Sequence, residues 1–357
     1  MSKVRRSSIA PASSGLSISV AMATYNGARY IAEQLDSLAR QTLKPFELVI
    51  TDDGSTDKTL YLVEAFAKTA PFPVRIFSNS TRLGYADNFL RACSLCVGDL
   101  IAFSDQDDVW LDTKLELCST EFIDPEVLLC VHSGELWKDG VQTGVKCPGY
   151  DRRQVYPPLT IYPLLSSYGF AMVVRRSLLT ITDNGIRVPV DDPMAHDQWM
   201  WFLSSIFGKI VLMPNVLVLY RQHDVNLFGG VAPAPGTALR NVIAVRDHLT
   251  PARRERRAAL LLETISSRTS ELWRLRAKVG ADFMYRCATM NRSRSKLYRH
   301  RASFSYRARE FSVVLLNGGY SLGQRAARLG MRAALKDAFL GVLGFAKVIT
   351  YLKPKGN

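Results

Sequence analysis

The chain has no run of about 18 uninterrupted apolar residues, so its sequence predicts no membrane-spanning helix. Its opening stretch, MSKVRRSSIAPASSG, lacks the apolar core of a secretory signal and reads as a flexible lead-in over residues 1–15. Disulfide-framework spacing is missing too. Six cysteines scattered through 357 residues exclude a small stapled scaffold and fit reduced thiols in the cytoplasm. Cys93-Ser94-Leu95-Cys96 has C-x-x-C spacing, but no second pair or His-x-His partner follows. The motif also sits late in a predicted helix, so no zinc or redox centre is expected there. Acidic residues are scarce in one place only. From Val231 onward there are 7 of the 32 Asp and Glu, against 25 of the 46 Lys and Arg. The net charge of +14 therefore belongs to the C-terminal third. Such asymmetry points to a polyanionic partner, either nucleic acid or an anionic membrane leaflet.

What is present is a globular composition, 47% hydrophobic and 22% charged, sufficient for one large domain and a smaller one. Residues 16–23 read as a first strand, broken by Tyr25-Asn26-Gly27. Residues 28–40 carry Ile31, Leu35 and Leu38 at helical spacing. A second strand, 46–51, ends in Asp52-Asp53-Gly54-Ser55-Thr56-Asp57, where Ser55 or Thr56 is placed to cap a helix reaching about Lys68. Residues 74–77 predict a third strand, 87–97 a third helix and 99–103 a fourth strand. Strand, turn and helix repeated in this way predict an α/β fold: a mostly parallel sheet covered by helices on both faces. Residues 138–158 read as a loop over the sheet edge, and 164–175 and 210–220 as further strands. The VAPAPG stretch, 231–236, has linker composition. It divides a domain over 16–230 from a basic, mainly helical region over 231–357. That region has one or two helices within 238–297, then apolar stretches at 311–316 and 337–352.

The strongest chemical signal is Ser104-Asp105-Gln106-Asp107-Asp108-Val109-Trp110, which puts three carboxylates directly after the apolar run 100–103. Crowded like charges at a strand end repel one another. A hard divalent cation with oxygen ligands relieves that repulsion and can then hold phosphate oxygens. A solvated acidic turn is the plain alternative. In open α/β sheets ligands collect at the carboxyl ends of the strands, so the turns 24–27, 52–57 and 105–108 are expected to meet at one edge.

With TYNG at 24–27, DDGSTD at 52–57, TRLGYADNF at 81–89, SDQDDVW, HDQW at 196–199 and YRQHDVN at 220–226 in this order, the chain resembles a family 2 glycosyltransferase of the GT-A nucleotide-sugar fold. The resemblance covers residues 16–228. The SDQDDVW and YRQH wording is most similar to bacterial rhamnosyltransferase-like enzymes of surface polysaccharide synthesis. It implies that Asp53, with Asp52 as neighbour, accepts the N3 proton of a uracil or thymine ring. Thr24 and Asn26 then lie beside base and ribose, and Arg82 and Asn88 pass near the nucleotide. Asp105 faces the ribose, and Asp107, Asp108 and His223 hold Mg²⁺ or Mn²⁺. Arg221 neutralises phosphate or pairs with an acid. An exposed loop arginine and an ordinary loop histidine are the plain readings of Arg82 and His223, and Trp110 is core or a wall of the sugar site. Asp197 stands where the family's general base stands, with His196 where Glu is more usual. An Asp at that point is also a common helix N-cap, and the two roles can coexist.

The implied activity is that of an inverting hexosyltransferase, metal-assisted, moving a sugar such as rhamnose from a UDP- or dTDP-sugar to a lipid-linked glycan acceptor. The basic region then fits an anionic membrane surface, placing the protein peripherally at the inner face of the cytoplasmic membrane. No nucleic-acid motif accompanies the arginines, so no nucleic-acid partner is expected. The alternative is a non-catalytic nucleotide-sugar or polyanion binder on the same fold.

Overall fold

The computed structural model describes residues 15–138, 140–182, 194–223, 248–298, 302–317 and 330–343. The chain forms two compact units, one of residues 1–157, 165–204 and 208–226, the other of residues 158–164, 205–207 and 227–357. The linker expected at 231–236 lies outside the described residues.

The first unit is built on β1 (Ile18–Thr24), α1 (Ile31–Ala39), β2 (Glu47–Asp52), α2 (Thr59–Ala67), β3 (Val74–Ser78), α3 (Tyr85–Leu95) and β4 (Leu100–Ser104). It continues through β5 (Val109–Trp110), α4 (Lys114–Thr120), β6 (Val127–Lys138), β7 (Val141–Lys146), β8 (Gln154–Tyr156), β9 (Met172–Arg175), α5 (His196–Phe207) and β10 (Lys209–Gln222). The sheet runs β3-β2-β1-β4-β9-β6-β10-β5, with β7 on β6 and β8 on β10. The pairs among β3, β2, β1 and β4 are parallel, whereas β9 is antiparallel to both β4 and β6. Every residue of β2 and β4 is buried, as continuous apolar runs require when both sheet faces are covered. Ile31, Leu35 and Leu38 of α1 are buried at the expected helical spacing.

Three local expectations are corrected. Residues 138–158 are not an open loop but carry β7 and β8, the first a hairpin partner of β6. Its side chains are exposed along the whole strand, so polarity concealed the extended backbone. Of 164–175, only Met172–Arg175 is strand, preceded by a 3₁₀ turn at Gly169–Ala171. Neither Ser55 nor Thr56 caps α2. Asp57 Oδ1 accepts from the Thr59 amide at 2.9 Å, while Ser55 Oγ donates to Asp52 Oδ2.

The second unit is helical. Helices Leu249–Arg268 and Glu271–Leu297 pack through Ala258, Leu262, Ile265, Ala281 and Met284, all buried. Glu255 accepts from the Tyr162 hydroxyl at 2.5 Å and the Asn291 amide at 2.9 Å. Helix Phe304–Leu316 follows, then Gly330–Lys336 and a π turn over Asp337–Val342. Buried Asp337 pairs with Arg294 at 2.6 Å and accepts from the Tyr298 hydroxyl at 2.6 Å. An apolar groove of about 430 Å³ is lined by Phe304, Phe311, Leu335, Phe339, Val342 and Leu343. Among the described residues no helix is long and apolar enough to cross a membrane.

Candidate active site

The parallel pairing puts the ends of β1, β2 and β4 side by side, Thr24 opposite Asp52 and Met22 opposite Ser104. The three polar turns therefore meet at one edge, as the sequence predicts.

At the β2 end, Asp52 and Asp53 have different tasks. Asp52 Oδ2 accepts from Thr24 Oγ1 at 2.8 Å and Ser55 Oγ at 2.5 Å. Its Oδ1 accepts from the Gly54 and Ser55 amides at 3.1 and 2.8 Å. A carboxylate offers about four acceptor sites, so Asp52 is fully used inside the turn. Asp53 accepts three bonds: Asn79 Nδ2 (2.8 Å), Leu83 N (2.6 Å) and Gly84 N (2.8 Å). One acceptor position is left. Burial pushes its carboxyl up, but those three donors and the Arg82 charge together hold it below its ordinary value. Gly84 makes the close turn at φ 82°, a conformation that glycine adopts without penalty.

Thr24 and Asn88 are buried floor residues. The Asn88 amide donates to the Thr51 and Thr24 carbonyls at 2.9 and 3.4 Å and accepts from Asn79 at 2.9 Å, binding the ends of β1 and β2 together. Asn26, at φ 48°, accepts from the Thr56 amide at 2.8 Å, tying the first turn to the second. Arg82 is exposed and lies over the Tyr25 ring at 4.0 Å.

The acidic turn is locked from two sides. Gln106 accepts from Tyr25 N at 3.0 Å and donates to Tyr25 O at 3.1 Å. Arg221, at the end of β10, donates its amide to Asp108 Oδ1 (3.0 Å), its Nε to the Asp107 carbonyl (2.8 Å) and its Nη2 to Glu33 (2.7 Å). Its guanidinium also faces the Tyr30 and Trp137 rings at 4.5 and 4.1 Å. Of the two expectations for Arg221, pairing with an acid is the one observed. His223 Nε2 meets Asp107 Oδ2 at 2.8 Å and stacks on Tyr30. Trp110 is core, 1% exposed.

Burial, then the charges of Asp107 and Asp197, push the Asp105 carboxyl up to about 7 against the opposing Lys114. Asp108 is raised well above its usual value by burial, Asp107 and Asp105. Its Oδ2 is buried without a partner. Buried carboxyls raised further by one another's charge are a cluster that a divalent cation would relieve. Among the described residues no three His, Cys, Asp or Glu side chains converge as a metal shell. Asp107 and His223 meet, while the Asp108 carboxylate is fully buried beneath the turn. Two protein ligands with the rest of the shell from substrate phosphate and water is the usual arrangement for Mg²⁺-type sites.

Asp197 occupies the first turn of α5 and accepts from the Gln198 amide at 2.7 Å. Burial raises its carboxyl, with Gln198 N–H, its own N–H and the Ser166 hydroxyl drawing it back. The N-cap position is Ala195, so Asp197 sits inside the helix rather than capping it. His196 is buried, stacked on Phe89 at 4.2 Å and tilted on Phe103 at 5.5 Å. An imidazole fills an aromatic pocket there. Gln106, Asn79, Glu33, Lys114 and Ser166 went unread in the sequence. Gln106 lies inside the acidic motif, so its position was a signal; the other four come from unrelated stretches.

The fold and the edge cluster define an α/β domain of the nucleotide-sugar type. Residues 19–178 match the model of glycosyl transferase family 2, so that stretch of the chain carries the family's domain. It is 32% identical over 215 residues to an uncharacterized glycosyltransferase of Nostoc sp., covering 59% of this chain and 66% of that one. A Mycobacterium tuberculosis protein of uncharacterized activity is 27% identical over 215 residues, covering 58% and 59%, so the chain matches about three fifths of that relative's length. A shorter match, 40% identical over 99 residues, joins 27% of this chain to 34% of the dTDP-rhamnosyl transferase RfbG of Shigella flexneri. Among solved structures, Staphylococcus aureus TarS 1–349 in complex with UDP-GlcNAc has a TM-score of 0.50 at 21% identity, covering 82% of this chain and 83% of that one. Its likeness is one of fold.

Proposed function

We propose that this chain is a glycosyltransferase that moves one sugar from a nucleoside diphosphate sugar to a hydroxyl of a lipid-linked glycan, with inversion at the anomeric carbon. The observation that carries the reading is the convergence on Asp105. The charges of Asp107 and Asp197, far apart in sequence, both act on its carboxyl. This supports an acidic turn and a raised carboxylate acting on one bound donor.

In this reading Asp53 uses its remaining acceptor position for the N3–H of uracil or thymine, with Asp52, Thr24, Asn26 and Asn88 fixing its place from beneath. Arg82 lies at the same end and supplies positive charge toward the diphosphate. Asp107 and His223 would hold Mg²⁺ or Mn²⁺, which when bound neutralises charge on the leaving diphosphate. Arg221 and Gln106 keep the turn in place. Asp197 takes the proton from the acceptor hydroxyl as it attacks from the face opposite the diphosphate. Dimensionally this asks one carboxylate for about 10²–10⁴-fold of rate. Rhamnose as the sugar is supported by the match to RfbG, and an anionic inner leaflet as the working surface by the charge of residues 231–357.

A donor panel tests the proposal. Protein with Mg²⁺ or Mn²⁺ is incubated with UDP-, dTDP- and GDP-sugars plus a lipid-linked acceptor extract, and nucleoside diphosphate release is followed. One donor should be consumed by the native chain and not by Asp197→Asn, which should still bind the nucleotide. Equal release by both proteins would remove Asp197 from the base role. Binding without release from any donor would favour the non-catalytic binder.

A further inference from the structure

Beside Asp197 lies a group of aromatic rings that none of these roles uses. Tyr168 stacks on Phe170 with centroids 5.3 Å apart and an interplanar angle of 29°. Tyr220 stacks on the same Phe170 at 4.7 Å and 22°, and the two tyrosines approach to 5.8 Å. Phe170 is buried, 2% exposed, while Tyr168 and Tyr220 are half-buried. Each tyrosine lies near-parallel to Phe170 while the two are tilted 48° to each other, and both are reached by solvent.

The support beneath is rigid. Lys114, fully buried, donates from Nζ to the Phe170 carbonyl at 2.7 Å and sits 3.4 Å over the Trp110 ring. Burial pushes the Lys114 ammonium down to about 7, and its bond to the Phe170 carbonyl fixes the backbone on which the rings stand. The neighbours of the two tyrosines lead to the reacting groups. The residue after Tyr168 is Gly169, where a Cβ would come 2.6 Å from Nε2 of His196, the neighbour of Asp197. The residue after Tyr220 is Arg221, bonded to Asp107 and Asp108. Sheet order adds direction: Asp53 follows β2, the acidic turn follows β4, and Tyr168 and Tyr220 belong to the approach to β9 and to β10 on the far side. Nucleoside, diphosphate and sugars would fall in that sequence along the edge.

We propose that Tyr168 and Tyr220, backed by Phe170, form the platform on which the acceptor's terminal sugar stacks, presenting its hydroxyl to Asp197. Hexose rings offer apolar C–H faces, and flat aromatic side chains bury them at small conformational cost. This rests on the proposed transferase reading and adds the acceptor subsite to it. Tyr168 and Tyr220 are positioning residues: they set where the hydroxyl lies and take no proton.

The test uses binding, so that it stands apart from turnover. The full chain, with dTDP or UDP and Mn²⁺, is mixed with methyl glycosides of rhamnose, glucose, galactose and N-acetylglucosamine. Saturation transfer from the protein to each glycoside is then measured. At least one glycoside should bind, and Tyr168→Ala and Tyr220→Ala should each weaken it about tenfold or more. Tyr168→Phe and Tyr220→Phe should keep it, with melting temperature and nucleotide affinity unchanged throughout. Glycoside binding that is equal in the alanine variants, or absent in the native chain, overturns the platform. Displacement of the glycoside by UDP-glucose or dTDP-glucose would assign the rings to the donor sugar and also overturn it. Failure of the transferase reading shows separately, as donors that the native chain never consumes.

Discussion

At the scale of single residues, the carboxyls of this site are set apart by their surroundings. Asp53, gathered by two amides, an Asn side chain and Arg82, is held low; Asp105, Asp108 and Asp197 are raised, all of them chiefly by burial. A base must be ionised to act, so transfer should fail as pH falls through the raised Asp197 value. The acid limb of kcat/KM is expected above the ordinary aspartate value of about 4. A limb at or below that value would show that burial does not govern the base. Asp105 gives the opposite sign for stability. Its folded value of about 7 lies above the unfolded one, so its contribution is complete at low pH and is lost as pH rises through about 7. Metal-free Asp105→Asn should therefore melt about 1–3 °C higher than the native chain at pH 8, with the gain shrinking below pH 7 and gone by about pH 4. A variant equally or less stable at pH 8 would contradict the crowding of charge at this turn. Acidic residues were legible in the sequence because three in four positions are costly without a reason. Their division of labour was not, since it depends on donors from Asn79, Leu83, Gly84 and Arg221, which reach the acids only once the chain has folded.

At the scale of elements, strands and helices with strong patterns were readable to within a few residues. The buried runs of β2 and β4 and the spacing of Ile31, Leu35 and Leu38 carried them. β6 escaped despite its twelve residues, because eight of them are buried in a row without the alternation that marks a half-exposed strand. The turns between elements hold the site through backbone contacts. A Cβ on Gly27 would lie 2.3 Å from Gln106 Oε1, inside the side chain that bonds both Tyr25 backbone groups. The flexible Gln106 tip can move, but only by giving up those two bonds. Gly27→Ala is thus expected to leave the fold intact and weaken nucleotide binding about three- to thirtyfold, through loosening of the acidic turn. Calorimetric titration with UDP and dTDP measures this. Unchanged affinity would mean that the Tyr25–Gln106 bridge does not position the site.

At the scale of the whole chain, charge and apolar surface are distributed unevenly, and both concentrate in the second unit. Residues 231–357 carry 25 basic and 7 acidic side chains, while Phe304, Leu315, Leu316, Leu335, Phe339 and Leu343 each stand half or more exposed. Leu316 alone is 87% exposed. Together the charge and the apolar surface match the requirements of an anionic lipid surface: long-range attraction for arginine and lysine, then shallow insertion of Phe and Leu. The charge was plain in the sequence; the exposure was not, because Phe304 and Leu316 follow a helical spacing that reads equally well as core. The full chain should bind vesicles containing phosphatidylglycerol at low salt and leave neutral phosphatidylcholine vesicles alone. Raising salt should weaken the attraction without abolishing it, because the apolar contribution is unscreened. Leu316→Ser combined with Phe339→Ser should remove the salt-resistant part and leave nucleotide binding intact. Binding that disappears entirely with salt and is outcompeted by RNA would instead assign the basic region to nucleic acid, whose contacts are dominated by counterion release. A membrane-held second unit would confine the enzyme to a plane where lipid-linked acceptors are also confined. The encounter then depends on surface density rather than bulk concentration, and transfer to a lipid-linked acceptor should fall in the double Ser variant while transfer to a short-chain soluble analogue does not.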